Sequence, residues 1–139
     1  MKKPAFIFDI DGTLALRGDR SPYDMRKIKE DAVNAPVATC LRALRLERVF
    51  SILLFSGRDE AWRDDTLAWL WWHNIRFDLL LMRPAGSKEP DDFVKLRMLG
   101  LVQDEYEIMG VFEDRKRVKR MWVEAGVFVF DVNQKDGEF

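Results

Sequence analysis

Five short apolar runs separated by helix-like segments constrain the fold of this 139-residue chain more than any other feature. Each run is apolar at consecutive rather than alternate positions, which is typical of strands that are covered on both faces. The runs lie at residues 5–8, 49–55, 78–82, 108–112 and 127–130. Because they alternate with helical segments, they predict an α/β fold: a Rossmann-like parallel sheet of about five strands with helices on both faces.

Four segments between these runs carry helical patterns. They lie at residues 36–46, 60–73, 91–99 and 115–125. Gly126 directly follows the last segment and is typical of a helix C-cap. In parallel sheets of this kind, ligands bind beyond the carboxyl ends of the strands. The polar residues that follow the apolar runs are therefore the candidates for a functional site.

The length and composition predict one folded domain over residues 1–139. Apolar residues make up 47% of the sequence and charged residues 34%, a balance that argues against disorder. The net charge of −1 gives no overall attraction to nucleic acid or to a membrane. The single cysteine, Cys40, cannot form an internal disulfide, and no signal peptide or membrane span is visible, so we expect a cytoplasmic protein with no membrane partner.

Two carboxylates stand two positions apart directly after the first apolar run, in the sequence Asp9-Ile10-Asp11-Gly12-Thr13-Leu14. One carboxylate can attack phosphorus as a covalent nucleophile, and its neighbour can protonate the leaving oxygen and then activate water. Two acids beside a phosphate dianion require a cation, and Mg²⁺ prefers oxygen ligands. Asp9 is the candidate nucleophile, Asp11 the candidate acid and base, and both are candidate metal ligands. An Asx turn or a calcium loop fits less well, because a strand precedes the motif.

The second apolar run ends in Ser56-Gly57-Arg58, and the third helical segment carries Asp91 and Lys95. The serine hydroxyl can bind a phosphoryl oxygen, and glycine lets the backbone approach closely, although the same tripeptide can be a simple turn. Asp91 and Lys95 are four positions apart and so share one helix face. Taken alone, they can equally be a solvated ion pair.

Glu113 and Asp114 follow the fourth apolar run and precede the last helical segment. Paired acids at a strand end can complete a metal site with Asp9. Asp114 can instead serve only as the N-cap of the following helix.

These motifs together resemble those of the haloacid-dehalogenase phosphatases. The match covers their motif I at Asp9 to Leu14, motif II at Ser56, motif III at Lys95 and motif IV at Glu113 and Asp114. The resemblance implies a haloacid-dehalogenase fold without a large cap, an aspartyl-phosphate on Asp9, and Mg²⁺ held by Asp9, the Asp11 carbonyl and Asp114. Motif IV is usually Asp-Asp in that superfamily, so Glu113 is expected to act through water or as a partial substitute.

A closer resemblance is to the 3′-phosphatase domain of phage-type polynucleotide kinase-phosphatases. It is carried by Arg20-Ser21-Pro22-Tyr23-Asp24, Asn34-x-Pro36-Val37, Ser56-Gly57-Arg58, Met82-Arg83-Pro84, Asp91-Asp92-x-Val94-Lys95 and Asp114-Arg115. The resemblance implies that Arg20, Arg58, Asp91 and Lys95 contribute to phosphatase activity. A guanidinium fork suits the paired oxygens of a phosphate. The chain departs from that family in lacking the glycine-rich kinase loop Gly-x-x-x-x-Gly-Lys-Ser/Thr.

The leading functional hypothesis is removal of a 3′-terminal phosphate, or also of a 2′,3′-cyclic phosphate, from DNA or RNA ends during nucleic-acid repair. Expected partners are 3′-phosphorylated ends and a separate kinase or ligase chain. Two alternatives stay open: a phosphatase of free nucleotides or other small phosphomonoesters, and a non-catalytic binding module on the same fold. Trp69, Trp71 and Trp72 indicate helix packing, with a homodimer contact as the alternative.

Overall fold

A five-stranded parallel sheet organises the computed structural model, which describes residues 1–135. The described residues form seven strands: β1 (Lys3–Phe8), β2 (Ala15–Leu16), β3 (Ala32–Val33), β4 (Ser51–Asp59), β5 (Leu79–Arg83), β6 (Tyr106–Glu113) and β7 (Val129–Asp131). Five of them form the main sheet, and β2 and β3 lie outside it. The sheet order is β5-β4-β1-β6-β7, and all four pairings are parallel. The predicted α/β architecture is confirmed. The small antiparallel pair β2–β3 was not predicted, because two-residue strands carry no periodic signal.

Four α-helices cover the sheet: α1 (Ala35–Leu46), α2 (Arg63–Trp72), α3 (Asp91–Val102) and α4 (Lys116–Glu124). The predicted helix 60–73 begins differently, as a 3₁₀ turn at Glu60–Trp62, because the Asp59 side chain accepts a hydrogen bond from the Ala61 N–H. The predicted strand 127–130 also shifts. Val127 donates its N–H to the Trp122 carbonyl of α4, so the strand begins only at Val129.

The consecutive apolar residues of each central strand supply two separate cores. Side chains of a strand alternate between the two faces of the sheet. In β4, Leu54 therefore packs with α1 and α2, whereas Leu53 and Phe55 pack with α3 and α4. All three side chains are fully buried. Burial on both faces explains why the apolar runs are continuous.

The register of the central strands brings their carboxyl ends to one edge. Phe8 lies opposite Leu54 of β4 and Phe112 of β6. The residues that follow these strands are therefore neighbours in space. Between β1 and β4, the described chain forms only the β2–β3 pair, a loop with a 3₁₀ turn, and α1, so no separate cap follows β1. Among residues 1–135, none of the helices combines the length and the apolar character that crossing a membrane requires.

Candidate active site

Asp9 lies directly after β1 and is contacted by a buried cation from α3. Its Oδ1 accepts a hydrogen bond from Lys95 Nζ at 2.7 Å, and its Oδ2 accepts one from the Thr13 hydroxyl at 3.3 Å. Lys95 Nζ also donates to Glu113 Oε1 at 2.9 Å. Helix α3 thus brings Lys95 to Asp9, two separately predicted site residues that are 86 positions apart in the sequence.

Burial and charge together determine the ionisation of this pair. Burial, followed by repulsion from Glu113, raises the pKa of Asp9 well above its usual value, while Lys95 opposes that rise. Burial alone would lower the pKa of Lys95, but the attraction of Asp9 and Glu113 outweighs it and the pKa rises well above the ordinary value. Lys95 is therefore a fixed positive charge beside the carboxylate of Asp9.

Three carboxylates meet at the ends of β1 and β6. Asp9, Glu113 and Asp114 are all buried, and each offers one oxygen within 4.8 Å of the others. Burial, and then repulsion from Glu113, raises the pKa of Asp114 to about 6. Buried acids that repel one another fit a hard cation with oxygen ligands such as Mg²⁺, which would compensate their charge.

The two acids of β6 differ in how their oxygens are engaged. Glu113 Oε1 accepts from Lys95 and from Trp122 Nε1, and Oε2 accepts from the N–H of Asp114 and of Arg115. Asp114 Oδ1 accepts from the Thr13 hydroxyl at 3.2 Å. Asp114 Oδ2 lies so close to Gly12 that a Cβ there would be 2.1 Å away. Asp114 is thus the better placed of the two as a direct ligand.

Arg58, at the end of β4, forms a two-point contact with Asp11. Its Nε and Nη2 donate to Asp11 Oδ2 and Oδ1 at 2.9 and 2.7 Å, and its Nη1 donates to Thr66 Oγ1 at 3.0 Å. The guanidinium is almost fully buried, whereas the Asp11 side chain is 35% exposed. Asp11, the predicted acid and base, therefore lies at the open side of the site and is bound to the buried cation Arg58.

Arg20 contacts carbonyls of its own loop and a buried acid, Asp31, that the sequence analysis did not name as a site residue. Its Nε and Nη2 donate to the two oxygens of Asp31 at 2.9 and 2.8 Å. Its Nη1 donates to the carbonyls of Ser21 and Asp24. Arg20 Nη2 lies 3.7 Å from Asp11 Oδ1. The predicted role of Arg20 and Arg58 in binding phosphate stays a prediction, since both face carboxylates here.

Gly57 and Asp91 are in contact, a relation that the sequence did not suggest. A Cβ on Gly57 would be 2.1 Å from Asp91 Oδ1. Asp91 Oδ2 lies 3.7 Å from Lys95 Nζ, and Asp91 Oδ1 lies 3.3 Å from Arg83 Nη2. The glycine therefore makes room for an acid that supports Lys95. Ser56 is buried, and its Oγ accepts from the Arg58 N–H at 3.0 Å.

Comparison with known proteins identifies the family. The family model of the polynucleotide kinase PNKP phosphatase domain matches residues 3–139. The chain belongs to the family of PNKP phosphatase domains. It is a phosphatase domain of the haloacid-dehalogenase type.

Similar proteins are longer than this chain. A protein of Autographa californica nuclear polyhedrosis virus, to which a bifunctional polynucleotide kinase/RNA ligase role is ascribed, is 32% identical over an alignment of 139 positions. This alignment covers 97% of this chain and 20% of the relative. One chain of the solved Pnkp1/Rnl/Hen1 complex superposes with a TM-score of 0.93 at 34% identity, over 99% of this chain and 48% of that one. This chain thus spans a fifth to a half of these relatives.

A more distant structure shares the fold alone. The class C acid phosphatase of Bacillus anthracis, solved with tungstate bound, superposes with a TM-score of 0.66 at 17% identity. The match covers 99% of this chain and 69% of that enzyme. The fold is therefore shared more widely than the sequence.

Asp31 is the site residue that sequence reasoning missed. It follows a 3₁₀ turn in a loop and stands among other charged residues, so its sequence neighbourhood resembles any solvated loop. In the structure its side chain is only 2% exposed. The charges near Asp31 in the sequence do not indicate whether its side chain is buried. Its burial depends on contacts with Arg20, Arg58 and Trp69, which lie at other positions of the chain.

Proposed function

We propose that this domain is a Mg²⁺-dependent phosphomonoesterase that forms an aspartyl-phosphate on Asp9 and removes a 3′-terminal phosphate from DNA or RNA. The observation that carries the proposal is the surroundings of the Asp9 carboxylate. Lys95 contacts one of its oxygens, and Asp114 and Glu113 lie close enough to share one cation with it. Membership of a phosphatase family supports the reaction class.

The groups that would hold Mg²⁺ are the carboxylates of Asp9 and Asp114 and the backbone carbonyl of Asp11, with Glu113 acting through water. Bound there, Mg²⁺ would neutralise charge on the phosphate and so allow an anionic nucleophile to approach it. Lys95 supplies a second, fixed positive charge at the same point. Ser56 is proposed to bind a phosphoryl oxygen.

The two acids of the motif, Asp9 and Asp11, carry out the bond-making and proton-transfer steps. An oxygen of Asp9 forms a bond to phosphorus while the bond from phosphorus to O3′ breaks, and Asp11 gives its proton to O3′. In the second step Asp11 takes a proton from water, whose oxygen attacks phosphorus. The bond to Asp9 breaks and inorganic phosphate leaves. Each carboxylate oxygen of Asp11 has two lone-pair sites, so the carboxylate can stay bound to Arg58 while one of its oxygens exchanges the proton.

The relatives suggest the biological setting. The viral relative is described as a kinase and RNA ligase, and two solved neighbours are Pnkp1/Rnl/Hen1 complexes, one of them described as an RNA repair complex. Removal of a 3′-phosphate leaves a 3′-hydroxyl, the group that a ligase needs. We therefore place this domain beside a kinase or ligase that acts on the same ends.

The test is the Asp9→Asn variant, which removes the nucleophile but keeps the shape of the side chain. We expect no release of phosphate from a 3′-phosphorylated RNA oligonucleotide, and full loss of wild-type turnover in EDTA with recovery on adding Mg²⁺. Asp104→Asn, at an exposed aspartate just before β6, serves as the matched control and should behave as wild type. Near-normal turnover by Asp9→Asn would exclude the aspartyl-phosphate.

The substrate class is decided by a panel at constant salt. The oligonucleotide is compared, as RNA and as DNA, with the matching 3′-nucleoside monophosphate. We expect higher kcat/KM for the polymer ends. Preference for the monomer would contradict the proposed substrate while leaving the reaction class intact.

A further inference from the structure

Tyr23 is a large aromatic residue that does not belong to either core. It is 82% exposed, whereas the second tyrosine of the chain, Tyr106, packs against the core on the α3 and α4 side of the sheet. A ring that stays in water contributes little to folding. Single exposed aromatic residues are common on protein surfaces, so the position of Tyr23 decides whether its ring serves binding.

The turn that carries Tyr23 is specified by its sequence. Serine is favoured at the first position of a β-turn and proline at the second, as in Ser21-Pro22. The Asp24 N–H donates to the Ser21 carbonyl at 3.0 Å and closes the turn. The Tyr23 N–H donates to Ser21 Oγ at 3.3 Å. Two hydrogen bonds within the turn thus hold the backbone that presents the ring.

Arg20 anchors this turn beside Asp11, the proposed acid and base. Its Nη1 donates to the carbonyls of Ser21 and Asp24 at 3.1 and 2.8 Å. Its Nη2 lies 3.7 Å from Asp11 Oδ1. One guanidinium thus contacts the turn and also approaches Asp11. Tyr23 therefore stands near the open side of the site, where O3′ and its nucleoside would lie.

The loop around the turn carries a local surplus of positive charge, although the net charge of the whole chain is −1. Residues 17–29 contain more basic than acidic side chains: Arg17, Arg20, Arg26, Lys27 and Lys29 against Asp19 and Asp24. Positive charge attracts a phosphodiester chain, and aromatic rings beside such charge stack on bases in proteins that bind single strands. The chemistry of this loop therefore suits a nucleoside that is joined to a phosphate backbone.

We propose that Tyr23 determines specificity by stacking on the base of the terminal nucleoside while the 3′-phosphate lies at Asp9. This role rests on the proposed function, which supplies the 3′-phosphorylated end. The ring contacts the base and takes no part in bond breaking, so it stabilises the bound substrate and the transition state equally. Its loss should raise KM and leave kcat unchanged. Because every base has a π-face, ends with any of the four bases should depend on Tyr23.

The experiment compares two oligonucleotides of the same length that both end in a 3′-phosphate. One has a normal terminal nucleoside, and the other has hydrogen in place of the terminal base. Tyr23→Leu keeps an apolar side chain but has no π-face. For the normal end we expect its kcat/KM to fall by about tenfold, within the range for loss of one stacked base. For the base-free end we expect the variant and the wild type to be alike.

Trp71→Leu is the matched control. Trp71 is 80% exposed and lies in the last turn of α2, which runs back from the carboxyl end of β4 and so leads away from the site. This variant should turn over both oligonucleotides as the wild type does. Tyr23→Phe keeps the ring and should recover the binding that Tyr23→Leu loses. The melting temperatures of these variants should match that of the wild type, because the exchanged side chains are exposed.

An equal loss for both ends would show that Tyr23 acts through its loop and not through the base, and would overturn the proposal. Unchanged kcat/KM of Tyr23→Leu for the normal end would overturn it as well. A base-dependent loss in Trp71→Leu in place of Tyr23→Leu would put the base on α2 instead. In these cases the wild type still releases phosphate, so the proposed function stands. A wild-type protein that releases no phosphate from the normal end would overturn the proposed function, and the role of Tyr23 with it.

Discussion

The charged side chains of the site are stabilised because each buried charge lies beside charges of the opposite sign. Lys95 is 1% exposed, and three carboxylates, those of Asp9, Glu113 and Asp91, lie within 3.7 Å of its Nζ. Loss of one partner from such a set is costly, because the remaining charge stays buried and unpaired. Small residues beside these charges matter as well, because a larger side chain there would displace a buried charge from its partners.

Gly12 is the most constrained of these small residues. It has a φ of +82°, and a Cβ there would lie 2.1 Å from Asp114 Oδ2. Gly12→Ala should lower the free energy of unfolding by about 1–3 kcal/mol and raise the Mg²⁺ concentration needed for activity, because Asp114 must move. Thermal denaturation and a Mg²⁺ titration of phosphate release measure the two effects.

Gly18 provides the control for this prediction. Its φ is +60°, and apart from its two chain neighbours no residue in the described range has an atom within 4 Å of the position of a Cβ. Gly18→Ala carries the backbone strain without the collision, so it should lose stability but keep the wild-type Mg²⁺ requirement. An identical Mg²⁺ requirement in both variants would show that Gly12 does not act through Asp114.

The raised pKa of Asp114 predicts opposite pH dependences with and without metal. Burial and Glu113 raise this pKa to about 6, above the value of roughly 3.9 in an unfolded chain. The folded state holds the extra proton between these values, so the metal-free protein should lose stability as pH rises through that interval. Mg²⁺ binds the ionised form, so its stabilising effect should grow over the same interval.

Melting temperatures with EDTA and with Mg²⁺ test this at about pH 5 and about pH 7.5. The increase in Tm caused by Mg²⁺ should be larger at the higher pH. Asp114→Asn cannot titrate, and in this variant the increase should be smaller and less dependent on pH. Equal increases at both pH values in the wild type would contradict the assignment of Asp114 as a ligand.

At the scale of elements, the edge strand β7 is attached through aromatic stacking. The Phe130 ring stacks on Phe112 with centroids 4.6 Å apart, and Phe112 stacks on Phe8 at 4.3 Å. Gly110 leaves room for this stack, since a Cβ there would be 2.6 Å from the Phe130 ring. The stack joins the edge strand to the centre of the sheet.

Phe130→Ala tests the attachment. It should lower the free energy of unfolding by roughly 2 kcal/mol, less than for a fully buried phenylalanine because the ring is partly exposed. Phe128→Ala is the control, since that residue is 65% exposed and its ring is tilted against Phe130 rather than stacked on it. Chemical denaturation should show a clearly smaller loss for Phe128→Ala. Equal losses would show that stacking on Phe112 does not stabilise the edge.

At the scale of the whole molecule, the charge is nearly balanced. The chain has 23 basic and 24 acidic residues, and many of them pair with one another. Strong binding to a phosphate backbone usually requires an excess of basic residues. We therefore expect this domain to hold one terminus of its substrate rather than a long stretch.

The salt dependence of KM for a 3′-phosphorylated oligonucleotide tests this expectation. For single strands the slope of log KM against log salt is about 0.7 per phosphate contacted, so a terminus held through fewer than about three phosphates gives a slope below about 2. The 3′-nucleoside monophosphate serves as the reference with one phosphate. A slope corresponding to roughly six phosphates would contradict binding at the terminus alone.

Much of the architecture and the position of the site could be predicted from local patterns. Consecutive apolar residues in runs such as 49–55 indicated buried parallel strands, and the acids after these runs indicated the edge where chemistry occurs. The proximity of Asp9 to Lys95 and to Asp114 agrees with that prediction, while their roles in catalysis stay predictions. Element ends were less predictable, as at Asp59, where one side-chain hydrogen bond changes the helix type.

The sequence by itself determined the parallel sheet and which residues stand at its carboxyl edge, because apolar periodicity and the order of elements are local properties of the chain. Only the tertiary structure decided which charges face one another. Arg58 and Asp11 are 47 positions apart, Gly57 and Asp91 are 34 apart, and the carboxylate of Asp31 is buried against Arg20 and Arg58. Burial and Coulomb interaction depend on distance in space, and the packing of the elements sets that distance.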